Sequence, residues 1–189
     1  RSLSISPDVN DPAARSVDWS EMRMAVKDQI RGLMDGGVDF LLFETCFDTL
    51  NLKAMLAAKQ EYEAENQCVV ECAISFTLTE SGRVLSGQTV AAALASVKHA
   101  RPLMIGLNCG FGAEGMRRWV EELSPIAPMA VSVYPNAGLP NEMGEYDESP
   151  ESMVAHIEPM LKAGLVNMIG GCCGTTPAHI AAIAQVAKH

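Results

Sequence analysis

Apolar residues recur along this chain in two alternating periods. From Ser16, Trp19, Met22, Val26, Ile30 and Leu33 fall at helical spacing, with Asp18 and Glu21 at the start and Gly36-Gly37 as a stop. A short continuous run, VDFLLFET, follows as a buried strand, and Asp48 then caps a helix through Leu52, Met55, Leu56 and Lys59 to about Glu63. The alternation repeats with CVVECAISF as a strand and a helix from about Thr89 to His99, then PLMIGLN and a helix over residues 113–123. MAVSVYP is the next strand. Ser149-Pro150 opens the helix after it, LVNMIGG is the last strand, and Thr176-Pro177 opens the final helix, each pair in the N-cap and N1 arrangement. The pattern predicts five strands and six helices, after an opening stretch to Arg15 that has no apolar period and reads as a loop. Pro159 removes a backbone donor inside the fifth helix, so a kink or an early end is expected there.

Continuous apolar strands alternating with helices imply parallel strands covered on both faces, an α/β architecture. A doubly wound sheet would accommodate five strands, but it normally places a glycine fingerprint after an early strand, and here FETCFD follows the first. A (β/α)8 barrel takes about 250 residues. A chain of 189 residues that opens with a loop and a helix reads as the later part of a barrel.

Composition narrows the function. Fourteen Lys and Arg against 23 Asp and Glu give a net charge of -9, which argues against neutralising phosphate backbones, so no nucleic-acid partner is expected. No apolar run approaches the roughly 20 residues of a membrane span, and the polar start lacks the apolar core of a signal peptide, so a cytoplasmic protein with no membrane partner is expected. Six cysteines are too sparse for a disulfide scaffold, which leaves metal binding or catalysis as their possible roles.

In parallel α/β proteins ligands sit at the carboxyl ends of the strands. Those ends carry Glu44 and Cys46, then Asn108 and Cys109, then Tyr134, Pro135 and Asn136, and finally GGCCG from Gly170 to Gly174. Cys109, Cys172 and Cys173 can converge there. Three thiolates with one open position describe a catalytic zinc site, and the flanking glycines would let two adjacent side chains reach one ion. Two other readings stand beside this one: small buried cysteines with no ligand, and a phosphate held by the backbone of GGCCGTT ahead of a helix. Glu44, a carboxylate ending an apolar run, needs a partner. Cys68 and Cys72 read as core, and the four histidines, His179 in a first helical turn and His99, His156 and His189 further along helices, read as surface residues.

GLNCGFG at 106–112 and GGCCGTTPAHI at 170–180 resemble the homocysteine S-methyltransferase family, which holds zinc through three cysteines in these two contexts. SISPDVNDPA, FETCFDTLNLKA, SGRVLSGQT and YPNAGLPN are most similar to the N-terminal homocysteine-binding module of the cobalamin-dependent methionine synthases. The resemblance implies that residues 1–189 are one partial barrel domain, strands four to eight, without the first three strands. It also implies zinc on Cys109, Cys172 and Cys173, the homocysteine ammonium on Glu44, and Asn136 approaching zinc when substrate is absent. The implied reaction is attack of the homocysteine thiolate on a methyl group, forming methionine. The donor would be methylcobalamin, carried on another module and recharged from 5-methyltetrahydrofolate. Betaine or S-methylmethionine as donor, and a non-catalytic thiol protein that binds zinc, are the alternatives.

Overall fold

A computed structural model describes residues 1–188. Its five strands are β1 (Leu41–Cys46), β2 (Cys72–Phe76), β3 (Met104–Gly112), β4 (Ala130–Asn136) and β5 (Met168–Ile169). They pair in sequence order, and every pairing is parallel. The helices are α1 (Trp19–Asp35), α2 (Thr49–Asn66), α3 (Val90–Val97), α4 (Ala113–Leu123), α5 (Pro150–Lys162) and α6 (Pro177–Val186). Each strand is therefore followed by a helix that carries the chain back to the start of the next.

One face of the sheet holds the core. Leu41, Phe43, Cys72, Ile74, Phe76, Ile105, Leu107, Val131 and Val133 are buried with Ile30, Leu52, Leu56, Leu94, Met116, Val120, Met153 and Ile157 from the helices. Burying a side chain of this size is worth about 1.5–3 kcal/mol. The alternate positions carry small or polar residues, Ala73, Ser75, Gly106 and Ser132, flanked on β1 by exposed Leu42 and Glu44. At Gly106 a Cβ would lie 2.0 Å from the Ser132 carbonyl oxygen, so only glycine lets β3 and β4 close at that level.

Helix starts follow the predicted caps. The Asp18 carboxylate accepts from the Glu21 N–H while Glu21 reaches back to the Asp18 N–H, and Ser149 accepts from Ser152. Pro159 does not end α5, which runs on to Lys162. It lies in the last turn, so its missing donor leaves only the Ala155 carbonyl without a helical partner, a small loss beside the burial of Met153, Ile157 and Met160.

Other boundaries moved. Cys68 is exposed, because the paired part of β2 begins only at Cys72, and the last strand shrinks from LVNMIGG to two residues. His179 is buried at 6% exposure, for reasons that lie in the site, whereas His99 sits in a 3-10 turn and His189 lies outside the described residues. Cys46, expected near the site, turns into the core with its Sγ directed at the Phe43 carbonyl, and burial first, then the charge of Glu44, pushes its thiol up to about 12.

The opening segment has no helix or strand, yet it is held in place. Ser2 and Ser4 donate hydroxyl hydrogens to the Asp48 carboxylate, and the Leu3 N–H donates to Asn51 Oδ1. Burial alone would raise the Asp48 carboxyl, but hydrogen bonds from Ser2, Ser4 and the N–H groups of Leu50 and Asn51 outweigh it and hold it below its ordinary value. Because the folded value is the lower one, this stabilisation is complete above the ordinary carboxylate range near pH ~4 and fades as pH falls further. Asp48→Ala removes the α2 cap and orphans the buried Ser2 hydroxyl, so urea denaturation at pH 7 should show a loss of about 2 kcal/mol. The difference between the variant and the parent should shrink steadily as pH is lowered below ~4.

Candidate metal centre

Two irregularities shape the carboxyl end of the sheet. Between Phe43 and Cys46, β1 holds one more residue than β2 does opposite it, and between Asn108 and Gly112 the register of β3 slips against β4. Thr45 and Cys109, which lie in these bulges, take left-handed φ angles of 56° and 57°. A bulge re-aims the side chains around it, and here it directs Cys109 toward the chain that leaves β5.

That chain is stitched to the end of β4. Gly170 N–H donates to the Val133 carbonyl, Cys172 N–H to Pro135, and Ala137 N–H to the Cys173 carbonyl. Of the three glycines expected to permit a sharp turn, only Gly174 adopts a left-handed φ, 78°. Gly170 is there for room instead: a Cβ would meet the Tyr134 ring at 2.8 Å.

The result brings Cys109, Cys172 and Cys173 together. Their sulfurs lie within 4.8 Å of one another, with Cys109 to Cys173 at 3.8 Å and Cys172 to Cys173 at 4.0 Å. A tetrahedral zinc with Zn–S bonds of about 2.3 Å has sulfur–sulfur edges of about 3.8 Å, close to both of these distances, so the donor set fits a single zinc ion. Asn136, at the end of β4, is buried, and its Oδ1 accepts the Cys173 N–H at 3.1 Å.

Burial first, then Cys109, raises the Cys172 thiol to about 11, against smaller lowering contributions from the Cys173 N–H and the Asn108 amide. Glu44 stands apart from the sulfurs, exposed at the edge of the sheet, and among the described residues it makes no hydrogen bond or ion pair with the protein. Water satisfies it there, so the partner expected for a carboxylate ending an apolar run is not required by burial.

Three residues had gone unread as contributors. Asn108 is fully buried beneath the sulfurs. Tyr146, from the long loop after β4, lies on Gly174, where a Cβ would be 2.3 Å from the Tyr146 Cβ. Loss of solvent there and the neighbouring Cys173, Cys109 and Cys172 raise its phenol. His179 accepts the Thr176 N–H at Nδ1, and its Nε2 reaches the Glu148 carbonyl at 2.8 Å. A carbonyl only accepts, so Nε2 carries the proton, and this tautomer ties the start of α6 to the loop that holds Tyr146. The start of α6 is thus occupied by its own residues, and Pro177 has no N–H, which weakens the phosphate reading. No spacing in the sequence pointed to these contacts, since each joins segments at least 28 residues apart or, for His179, depends on a carbonyl.

A family model described as homocysteine S-methyltransferase matches residues 2–187. The chain belongs to that family. Among solved structures it is similar to the homocysteine methyltransferase MmuM from Escherichia coli. In the apo form the TM-score is 0.71 at 23% identity, over 90% of this chain and 57% of that one. The metallated form gives 0.71 at 23% identity over 90% and 53%, and the oxidised form 0.68 at 24% over 86% and 52%. The chain therefore spans a little over half the length of this family member, and its parallel sheet is part of a (β/α)8 barrel.

The state of the thiols gives a direct check on the metal-free protein. Raising a thiol from 9.0 to about 11 cuts its thiolate fraction about a hundredfold, and the greater nucleophilicity of the more basic thiolate recovers about half of that on a logarithmic scale. Alkylation of Cys172 at pH 8, followed by peptide mass spectrometry, should run roughly tenfold slower than that of a small thiol of ordinary pKa. An equal rate would contradict the crowding of the sulfurs.

Proposed function

We propose that this chain is the zinc- and homocysteine-binding part of a methyltransferase that converts homocysteine to methionine. The observation that carries the proposal is the gathering of three sulfurs within 4.8 Å of one another, on strand ends, in a chain of this family. Cys109, Cys172 and Cys173 would hold the ion, with the Asn136 side-chain oxygen as the fourth contact in the absence of substrate. The metallated form of MmuM is consistent with a metal in the family fold. Bound zinc would lower the pKa of the homocysteine thiol, so that the sulfur is present as thiolate near neutral pH.

The residues supply the rest. Three cysteine thiolates more than neutralise a divalent cation, and the residual negative charge keeps an added sulfur nucleophilic, which suits attack on a methyl group rather than activation of water. Asn136 offers a neutral amide oxygen already shared with the Cys173 N–H, a weak contact that a charged sulfur displaces. Glu44, unpaired in the protein, offers its carboxylate to the substrate ammonium. The thiol proton passes to solvent. A sulfur–carbon bond forms as the donor–methyl bond breaks, the electron pair leaving with the donor.

The matches of SISPDVNDPA and YPNAGLPN favour methylcobalamin as donor, presented by a cobalamin-binding module outside these residues and recharged from 5-methyltetrahydrofolate. Six free cysteines suit a reducing compartment, and the cytoplasm is the proposed location. No helix among the described residues is long and apolar enough to cross a membrane.

Zinc should bind one per chain and be lost from Cys109→Ala, Cys172→Ala and Cys173→Ala after reduction and desalting, as read by elemental analysis, whereas Cys68→Ala should keep it. In the chain joined to its remaining barrel strands, X-ray absorption should show a fourth sulfur on zinc at saturating homocysteine. Unchanged coordination would favour a protein that only stores the metal. Glu44→Gln should retain zinc and weaken homocysteine by 10- to 100-fold, the worth of a charge-assisted hydrogen bond of about 1.5–3 kcal/mol. Asn136→Ala should also retain zinc and change homocysteine affinity by no more than about 1 kcal/mol.

A further inference from the structure

Asn108 ends the regular part of β3 and is completely buried. Its Oδ1 accepts two hydrogen bonds, from the Thr45 N–H at 3.1 Å and from the Ser75 hydroxyl at 2.7 Å. A backbone N–H cannot donate to an amide nitrogen, so the orientation of the carboxamide is fixed and its two N–H bonds point the other way. One meets Thr45 Oγ1 at 2.8 Å. The other is directed at Cys172 Sγ, 4.0 Å away.

This arrangement suits one state of the sulfur. A neutral thiol is a poor acceptor, whereas a thiolate accepts strongly, and a buried N–H aimed at it offsets part of the cost of the charge. Cys172 is also the sulfur that this fixed donor faces, across the gap between the end of β3 and the loop after β5.

We propose that Asn108 is a positioning residue for the metal centre: its amide N–H orients and partly neutralises the Cys172 sulfur as a ligand. The same amide braces Thr45 at its left-handed φ, a conformation that residues other than glycine rarely adopt. It thereby joins the ends of β1, β2 and β3 to the loop after β5. The inference rests on the zinc reading above.

The test is zinc affinity in the purified chain, measured by competition with a chromogenic chelator, together with the sulfur-to-metal charge-transfer absorption of the cobalt(II)-substituted protein. Asn108→Asp keeps the shape and the acceptor oxygen but replaces the donor with negative charge, and it should weaken zinc by 10- to 100-fold, the usual effect of losing a group that orients a ligand. Asn108→Ala, without added charge, should weaken it less and still shift the cobalt band. Ser75→Ala removes a bond to the same amide while leaving the N–H in place, and it should stay within about threefold of the parent with an unshifted band. Parent-like affinity in both Asn108 variants, with zinc lost from Cys172→Ala, would overturn this proposal alone. A loss in Ser75→Ala equal to that in Asn108→Ala would also overturn it, by reducing Asn108 to a brace. Zinc retained in Cys172→Ala would overturn the metal reading and this proposal with it.

Discussion

Parallel pairing governs this protein. Because the strands run in one direction, each crossover helix must return the chain to the same starting edge, and all the strand ends gather on the other. Residues as distant in sequence as Cys109, Asn136 and Cys172 are brought to one end of the sheet by that one constraint. The apolar face beneath the helices supplies the free energy that maintains it.

A regular parallel ladder would not by itself assemble three sulfurs, since successive side chains alternate between faces. The bulges in β1 and β3 break the alternation where it matters. They put Thr45 and Cys109 into left-handed conformations, and hydrogen bonds to the buried Asn108 amide hold the β1 bulge in place. The loop after β5 is held differently, by backbone bonds that continue the β4 pairing past its last residue. Local strain at strand ends is thus sustained by contacts between strands, as is usual where a site is preorganised.

Electrostatics explain why the cluster calls for a cation. Burial first, then the neighbouring Cys109, opposes ionisation of the Cys172 thiol, and no lysine or arginine among the described residues offsets this. A divalent ion reverses the sign of each interaction at once. The Asn108 N–H and the Cys173 N–H act in the same direction with partial charges only.

The order of strands and helices, the α/β class, the caps at Asp48 and Ser149, and the convergence of three cysteines were legible in the sequence, because periodicity, capping chemistry and strand-end position are properties of short segments. Pro159 did not end α5 early because a proline in the last turn costs one bond, which packing of Met160 and Ile157 outweighs. Cys68 and Cys46 misled because an apolar run does not show where pairing begins or where a bulge flips a side chain. The burial of His179, the cover provided by Tyr146 and the hydrogen bonds of Asn108 were decided only by tertiary structure. Each depends on a partner from a distant segment or on a single backbone carbonyl, and no local pattern encodes which donor will meet which acceptor once the sheet has closed.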